Sequence, residues 1–434
     1  MAKRGPRRLQ SAFTGKTLTH FGGLFLLQLF FRKLKLRRLI QHQIRFPQRN
    51  NRYSVAETFL ALTYPIILGL SRIETTHLLS RNGVFQYLTG LPTYPNPTTL
   101  RRFLMRMAPL ALPKLRKLHD RLLGQMLLRS VRRTRFIFDL DSTVLVLYGK
   151  QEHARVGYNP HKPGRPSYHP LLCFEAHTKD FWHGELRPGD THTKTGTLEL
   201  LAACFAKLPP WARIVFIRAD KGFYDHKIIE WLEAKRARVV IVSRLTPPIK
   251  RKLSGLHYTI RPSGIATAEF HYQPHGWSHP YRFVVIRRPK PEEPTEQLSL
   301  FPIGRYVYQI FVTNLDLKPI NVWKFYNQRA AIELIIKELK GDYPLTKIPT
   351  QHWPANEAYF HLLLLAYNLV NWFKRLCLPP RFQSMTLQTL RSRLLLIPGE
   401  LVRIGNRPLL KLPANFLYQE EWIHAMKKIK MLKF

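Results

Sequence analysis

Acidic residues are scarce in this chain of 434 residues: Asp and Glu number 27 against 69 Lys and Arg, a formal net charge of +42. Ahead of Asp139 only Glu57, Glu74 and Asp120 are acidic. A surface so short of carboxylate repels itself unless a polyanion lies against it, and nucleic acid is the commonest such partner. Charge alone does not separate a protein that coats nucleic acid from an enzyme that acts on it. The carboxylates kept from Asp139 onward favour the enzyme, because a plain binder has little use for acids among so many cations. Cysteine is rare as well. Cys173, Cys204 and Cys377 form no CxxC pair, which argues against a zinc site or a disulfide framework and makes a reducing cytosol the expected setting. Long hydrophobic runs are missing too. Lys3, Arg4, Arg7 and Arg8 precede an apolar run from Phe21 to Phe31, superficially like a signal peptide. No small-residue cleavage site follows it, and the block from Arg32 to Arg38 would oppose translocation. The run is also too short to span a bilayer. It reads as a buried or amphipathic segment of a DNA-binding arm, with no membrane partner.

What is present is enough to build cores: 45% hydrophobic and 12% aromatic residues exclude a disordered chain. Residues 1–130 read as a basic helical DNA-binding region. Helical spacing runs through 56–90, and Pro92, Pro95 and Pro97 precede a helix starting near Thr98. A further helix is expected at about 111–130. A helix-turn-helix over about 56–108 and a plain basic helical bundle fit equally. From Arg135 the texture changes to β-branched and aromatic strands. Three strands, a helix, a strand, a helix and a strand follow in order. An antiparallel meander leading into parallel crossovers is the plan of an RNase H-like α/β fold, a mixed sheet with helices on both faces. That core is expected over 131–245 and 314–376, interrupted by a β-rich insertion domain at 246–313. The segment from Pro289 to Pro294 reads as a loop. Residues 377–434 are expected to form a C-terminal DNA-binding or dimerisation region containing a hairpin at about Leu401 to Leu412.

The chemistry lies in the carboxylates. Phosphoryl transfer on DNA needs a nucleophilic oxygen activated and a leaving oxygen stabilised, which two magnesium ions about 3.5–4 Å apart achieve. Magnesium requires converging hard oxygen ligands. Asp141 lies within the first core strand and Asp220 at the end of a later, neighbouring one, so both can reach one Mg2+ or Mn2+ site. Glu333 would come from a helix, about Val322 to Leu339, packed on that edge. Asp139 is the rival of Asp141, since two residues apart on a strand share a face. It is read as a supporting or solvated acid. On the helix, Tyr326, Arg329, Glu333, Lys337 and Lys340 fall on one face at about 100° per residue. An exposed salt-bridge ladder and a phosphate grip beside a metal ligand both fit that pattern.

Tyr326-x-x-Arg329-x-x-x-Glu333 followed by Lys340 resembles the Y-R-E-K signature of bacterial insertion-sequence DDE transposases. Asp141-Ser142-Thr143 looks like their first-aspartate motif, and Arg218-Ala219-Asp220-Lys221-Gly222-Phe223 like their second. Gly157-Tyr158-Asn159-Pro160 with Gly164 to Leu171 is similar to one subgroup. The resemblance covers about 135–345 well and the flanks loosely. It implies catalysis by Asp141, Asp220 and Glu333 with two Mg2+ or Mn2+ ions, on double-stranded DNA comprising terminal inverted repeats and target DNA, within a homodimer. It implies nicking by water, then attack by the freed 3′-hydroxyl, often through a hairpin. Tyr326, Arg329, Lys340 and, less directly, Lys337 would hold phosphates. Trp277 would stabilise a flipped base, or else simply pack in its turn, while Trp323 is expected to pack. A bacterial, cytoplasmic, nucleoid-associated location goes with this reading. Lys221 departs from what a metal site next to Asp220 prefers, since its charge would lower cation affinity if it pointed inward. His153, His161 and His169 fit no zinc spacing and read as phosphate or structural contacts. Two competing readings remain: a non-catalytic or repurposed DNA-binding protein derived from a transposase, and a different RNase H-like nuclease.

Overall fold

The structure, a computed structural model, describes residues 11–13, 15–47, 52–129, 131–160, 162–290, 301–303 and 306–434, without the side chains of 301–303. Lys3, Arg4, Arg7, Arg8, His161 and the 291–294 part of the expected loop lie outside the described residues.

Ten strands make one mixed sheet. They are β1 (Arg135–Ser142), β2 (Leu171–Glu175), β3 (Phe181–Glu185), β4 (Ile214–Ala219), β5 (Arg238–Val242), β6 (Thr259–Ile260), β7 (Ala266–Tyr272), β8 (Tyr281–Pro289), β9 (Phe301–Ile303) and β10 (Tyr306–Thr313). Their order is β6-β7-β8-β10-β5-β4-β1-β2-β3, with β9 also on β10. β1, β4 and β5 are mutually parallel, β2 is antiparallel to β1, and β3 is antiparallel to β2. The five-strand block β3-β2-β1-β4-β5 is the RNase H-like arrangement. Helices α1 (Thr197–Ala206) and α2 (His226–Ala234) make the connections around β4. The segment Phe136 to Leu140 of β1 is buried throughout. A central strand paired on both edges and covered on both faces needs a continuous apolar run, so the one acid within it, Asp139, demands a partner.

The strands of 246–313 do not stand apart as a sheet of their own. β10 pairs antiparallel with β5 through Phe311↔Val242, Val312↔Ile241 and Thr313↔Val240, and β8, β7 and β6 follow outward. Without β10 the edge of β5 would present unpaired backbone groups. Val307 to Thr313 is buried along its length, so β10 is a second central strand rather than the edge of a separate domain.

After β10 the chain forms α3 (Pro319–Asn327), α4 (Ala330–Gly341) and α5 (Trp353–Cys377). The single helix expected from Val322 to Leu339 is therefore two. Arg329 N–H bonds to the Tyr326 carbonyl at 2.8 Å and Ile332 N–H to that of Arg329 at 2.9 Å, the tighter i to i−3 pattern that re-aims a helix without breaking it. The opposite error occurs upstream. The helices expected near Thr98 and at 111–130 are one, Pro97–Arg129, which runs through Pro109 and Pro113. Leu100, Leu104, Ala111, Leu115, Leu118 and Leu122 are fully buried along it, and that stripe outweighs the two N–H bonds lost at the prolines.

Of the described residues, those within Met1–Ile40, Asn50–Leu100 and Phe373–Phe434 form one compact unit, and those within Gln41–Arg49 and Arg101–Trp372 form the other. The terminal regions thus share a unit. In it Leu18–Thr19 pairs with the hairpin Gly399–Ile404/Arg407–Lys411. The apolar run after Phe21 is its core: Leu24, Leu26, Leu27 and Phe30 are fully buried in the helix Leu24–Lys33. The expected 56–90 helicity divides into Val55–Leu68, a 3-10 segment Ile73–Arg81 and Gly83–Thr89. The first of these starts at a Ser54/Glu57 capping box. Among the described residues no single helix is long and apolar enough to cross a membrane.

Candidate active site

The parallel register aligns Asp139 on β1 with Arg218 on β4. Two residues further on, Asp141 and Asp220 stand level at the C-terminal ends of adjacent strands, on the face that Asp139 and Arg218 share. Asp139 and Asp141 make different contacts. Arg218 grips Asp139 with both arms, Nε to Oδ1 at 2.7 Å and Nη2 to Oδ2 at 2.8 Å. Its remaining nitrogen, Nη1, donates to the Phe325 carbonyl at 2.7 Å. Both side chains of this ion pair are buried. Asp139 is thus spent on fastening the end of α3 to the sheet.

Asp141 has different company. Its Oδ1 accepts from the Ser142 N–H at 2.8 Å and lies 3.2 Å from Nη2 of Arg329. The same guanidinium donates to the Leu140 carbonyl at 2.9 Å and reaches Glu333 at 3.6 Å. The Arg329 side chain is 5% exposed and that of Glu333 66%, so the pair joins a buried cation to an exposed carboxylate. Burial opposes the charge of Arg329, but Asp141, Tyr326, Asp220 and Asp139 hold it above its ordinary pKa. Its Nε is buried without a hydrogen-bond partner among the described residues. Asp220 caps the 3-10 turn Lys221–Phe223 by accepting from Gly222 N–H at 2.9 Å, and Lys221 is half-buried in that turn. The Tyr326 ring is core, packed on Phe311 with centroids 4.8 Å apart. Burial raises its phenol to about 12, while the charges of Arg329, Asp220, Asp141 and Glu333 also act on it. Burial lowers Lys340, and Asp141 works in the other direction. Lys337 is exposed.

Trp277 is half-exposed in the turn between β7 and β8, closed by its own N–H to the Pro274 carbonyl at 3.1 Å. It packs on Tyr281 and on Tyr224, whose ring lies 5.2 Å away and follows the Asp220 turn. Trp323 is anchored to Gln309 at 3.1 Å, as expected of a packing residue. His169 is structural: Nδ1 meets the Thr191 carbonyl at 2.8 Å and Nε2 the Ser142 hydroxyl at 3.1 Å. His153 packs edge-on against Trp353. The sequence reading missed Arg218. Its signal was legible, a cation in an otherwise apolar central strand, which must bring a buried counter-ion.

Burial, followed by the like charges of Asp220 and Glu333, raises Asp141 to about 6, against the pull of Arg329 and Ser142 N–H. Mutually repelling carboxylates with only hard oxygen donors suit a divalent cation. Asp141, Asp220 and Glu333 are the residues that would hold it. Among the described residues the group whose ligand atoms already lie within 4.8 Å of one another is a different one, Glu185, Glu357 and His361; Asp141, Asp220 and Glu333 do not meet that spacing. There the Arg116 guanidinium lies 2.7 Å from each glutamate and 3.1 Å from the histidine, as Arg329 lies 3.2 Å from Asp141 and 3.6 Å from Glu333. The raised Asp141 pKa carries a sign. Protonated Asp141 favours the fold, fully so below about pH 4, and that contribution is lost as pH rises through about 6. A cation needs the carboxylate form. Adding Mn2+ is therefore expected to raise the melting temperature more at about pH 8 than at about pH 5. Equal shifts at both would remove Asp141 from the site.

Sheet order defines an RNase H-like α/β fold, with Asp141 and Asp220 at the ends of adjacent parallel strands. Within that class the chain belongs to the family described as transposase DDE domain group 1, whose model matches residues 2–434. The cryo-EM structure of a piggyBac transposase synaptic complex with hairpin DNA is similar at a TM-score of 0.44 and 15% identity, covering 82% of this chain and 76% of that one. No curated protein matches the chain.

Proposed function

We propose that this chain is the transposase of a bacterial insertion sequence of the Y-R-E-K group. It binds the terminal inverted repeats, cleaves DNA strands at them and joins the freed ends to target DNA, acting as a homodimer in a bacterial cytoplasm. The observation that carries this reading is Arg329. One buried guanidinium touches Asp141 from the first motif and reaches Glu333 within its own, so residues almost 200 positions apart in sequence meet at one point. Family membership supports transposition as the activity. The flanking groups supply the finer steps.

Asp141, Asp220 and Glu333 would hold two Mg2+ or Mn2+ ions, which when bound lower the pKa of the attacking hydroxyl and offset charge on the leaving oxygen. Arg329 orients Asp141 through the 3.2 Å contact of its Nη2. Lys340, half-buried and less firmly protonated than an exposed lysine, and Lys337 on the exposed side of α4 neutralise the backbone of the bound strand. Tyr326 positions this group through its packed ring. Trp277, tilted against Tyr224, offers a surface for an unpaired base. Trp277→Ala is expected to lower hairpin formation at the ends roughly tenfold, by analogy with the loss of one base–aromatic stack, with Trp277→Phe recovering most of it. Equal hairpin yield in all three proteins would leave Trp277 a packing residue.

The test of the whole reading is excision. A plasmid carries a marker between the two stretches of DNA that flank this reading frame, and the protein is supplied in trans. Loss of the marker with rejoined or broken flanks is expected. A marker retained despite occupancy of both flanks would favour a non-catalytic DNA-binding protein instead.

A further inference from the structure

Between β1 and β2 the chain leaves the main sheet and folds a small lobe. Its strands Leu145–Val146, Pro166–Tyr168 and Arg155–Val156 form a separate three-stranded sheet. The lobe's first strand starts four residues after Asp141, and the chain returns beside it through the His169–Ser142 hydrogen bond. Gly157 and Gly189 press backbone to backbone there: a Cβ on Gly157 would lie 2.0 Å from the Gly189 carbonyl oxygen. No side chain fits that contact, so the lobe is fixed to the segment after β3 that also carries Thr193, itself 3.3 Å from the Ser142 hydroxyl. This is a rigid extension next to the carboxylates, and the strand-cleaving reading above gives it no task.

Its surface has a definite chemistry. Lys150, Arg155, Lys162 and Arg165 are exposed, and none of the four makes an ion pair among the described residues. The one carboxylate between residues 143 and 169, Glu152, is turned away. It accepts from the Trp353 N–H at the start of α5 at 2.7 Å and meets His352 at 3.3 Å. The cations are also held. Asn159 Oδ1 accepts from Lys162 N–H at 3.0 Å, and the turn closes from Arg165 N–H to the Lys162 carbonyl at 3.3 Å through Gly164 at φ +76°. That turn lays both cations on one phenol. Lys162 Nζ is 5.0 Å and the Arg165 guanidinium carbon 5.7 Å from the ring centroid of Tyr148, and Lys162 also donates to its hydroxyl. The Tyr148 side chain is itself 70% exposed. Two like charges gathered on one exposed ring without a nearby counter-ion cost energy in the free protein. The ring quadrupole offsets part of it, and an arriving anion the rest.

We propose that this lobe is a clamp for the sugar-phosphate backbone of double-stranded DNA beside the scissile position, with Lys162 and Arg165, bracketed on Tyr148, engaging phosphates and Arg155 and Lys150 extending the track. The proposal rests on the transposase reading. It assigns to this segment a grip on the duplex independent of sequence, as phosphate contacts are.

The test measures binding of the full chain to a labelled random-sequence duplex by fluorescence anisotropy over a range of salt. The variants are Lys162→Gln with Arg165→Gln, and a control pair with the same charge change, Lys235→Gln with Arg238→Gln, at the opposite end of β5 from the carboxylates. The clamp pair is expected to flatten the slope of log affinity against log salt by about two units, near 0.9 per lost phosphate contact. Affinity at physiological salt should fall roughly tenfold or more, and the control pair should change neither. Tyr148→Phe, which keeps the ring, should bind like the parent, and Tyr148→Ala should lose part of what the double variant loses. If the clamp pair matches the parent or its own control while the parent binds DNA well, the clamp is wrong and the transposase reading stands. A parent that binds no duplex DNA overturns both.

Discussion

Asparagine at Asp141 or Asp220, or glutamine at Glu333, is expected to lower strand cleavage by about 10³-fold or more, a barrier increase of about 4 kcal/mol, while DNA binding changes little. The amide keeps the shape of each side chain and removes only its charge, which is what a divalent cation requires. Binding is spared because it rests on the large excess of cations in the chain. The three should differ in their effect on the fold. Glu333 is largely exposed, and its replacement should be silent in thermal unfolding. Asp141 is where burial and like charge already favour the neutral form, so the metal-free Asp141→Asn protein should lose little stability at neutral pH despite its contact with Arg329. Cleavage products resolved on denaturing gels, alongside binding measured on the same ends, check the set. Undiminished cleavage in any one variant would remove that residue from the centre.

Asp139→Asn is expected to do the reverse, lowering the unfolding free energy by about 3–5 kcal/mol, because it leaves a buried guanidinium without its counter-charge. Arg218 is 1% exposed and has nowhere to turn. Removing both charges should restore much of the loss, as buried pairs often tolerate replacement by apolar groups of similar volume. Asp139→Leu with Arg218→Met is therefore expected to be more stable than Asp139→Asn alone. A double-mutant cycle in urea would measure the coupling. Should Asp139→Asn unfold like the parent and yet abolish cleavage, Asp139 would be the ligand that Asp141 is taken to be here.

These two residues also show where sequence reading runs out. Strand positions come from local periodicity, and β4, β5, β7 and β10 appear within a residue or two of expectation for that reason, while β1 ends at Ser142, short of the strand expected to run on to Leu147. The shared face of Asp139 and Asp141 follows from the same period of two. Which of them carries a buried salt bridge depends on Arg218, 79 positions away, and no local pattern encodes that distance. The spacing from Tyr326 to Lys340 was legible as one helix face. The 3-10 step at Arg329 was not, because it answers to what the guanidinium must reach on β1. The insertion was legible as β and not as part of the core sheet, since pairing with β5 is a long-range choice made by an open edge. The helices expected near Thr98 and at about 111–130 are one, because a buried leucine stripe runs on through Pro109 and Pro113. The union of both chain ends in one unit had no sequence signal beyond the hairpin and the apolar run that take part in it.

The most direct measurement incubates the purified full chain with a duplex carrying one flanking end of its reading frame, with Mg2+, with Mn2+ and with chelator alone. The expected result is a nick at the junction, leaving a 3′-hydroxyl, in either metal and none in chelator. Tight, salt-sensitive binding of that end with no nick in either metal would contradict the assignment of Asp141, Asp220 and Glu333 as a metal-dependent strand-cleaving centre.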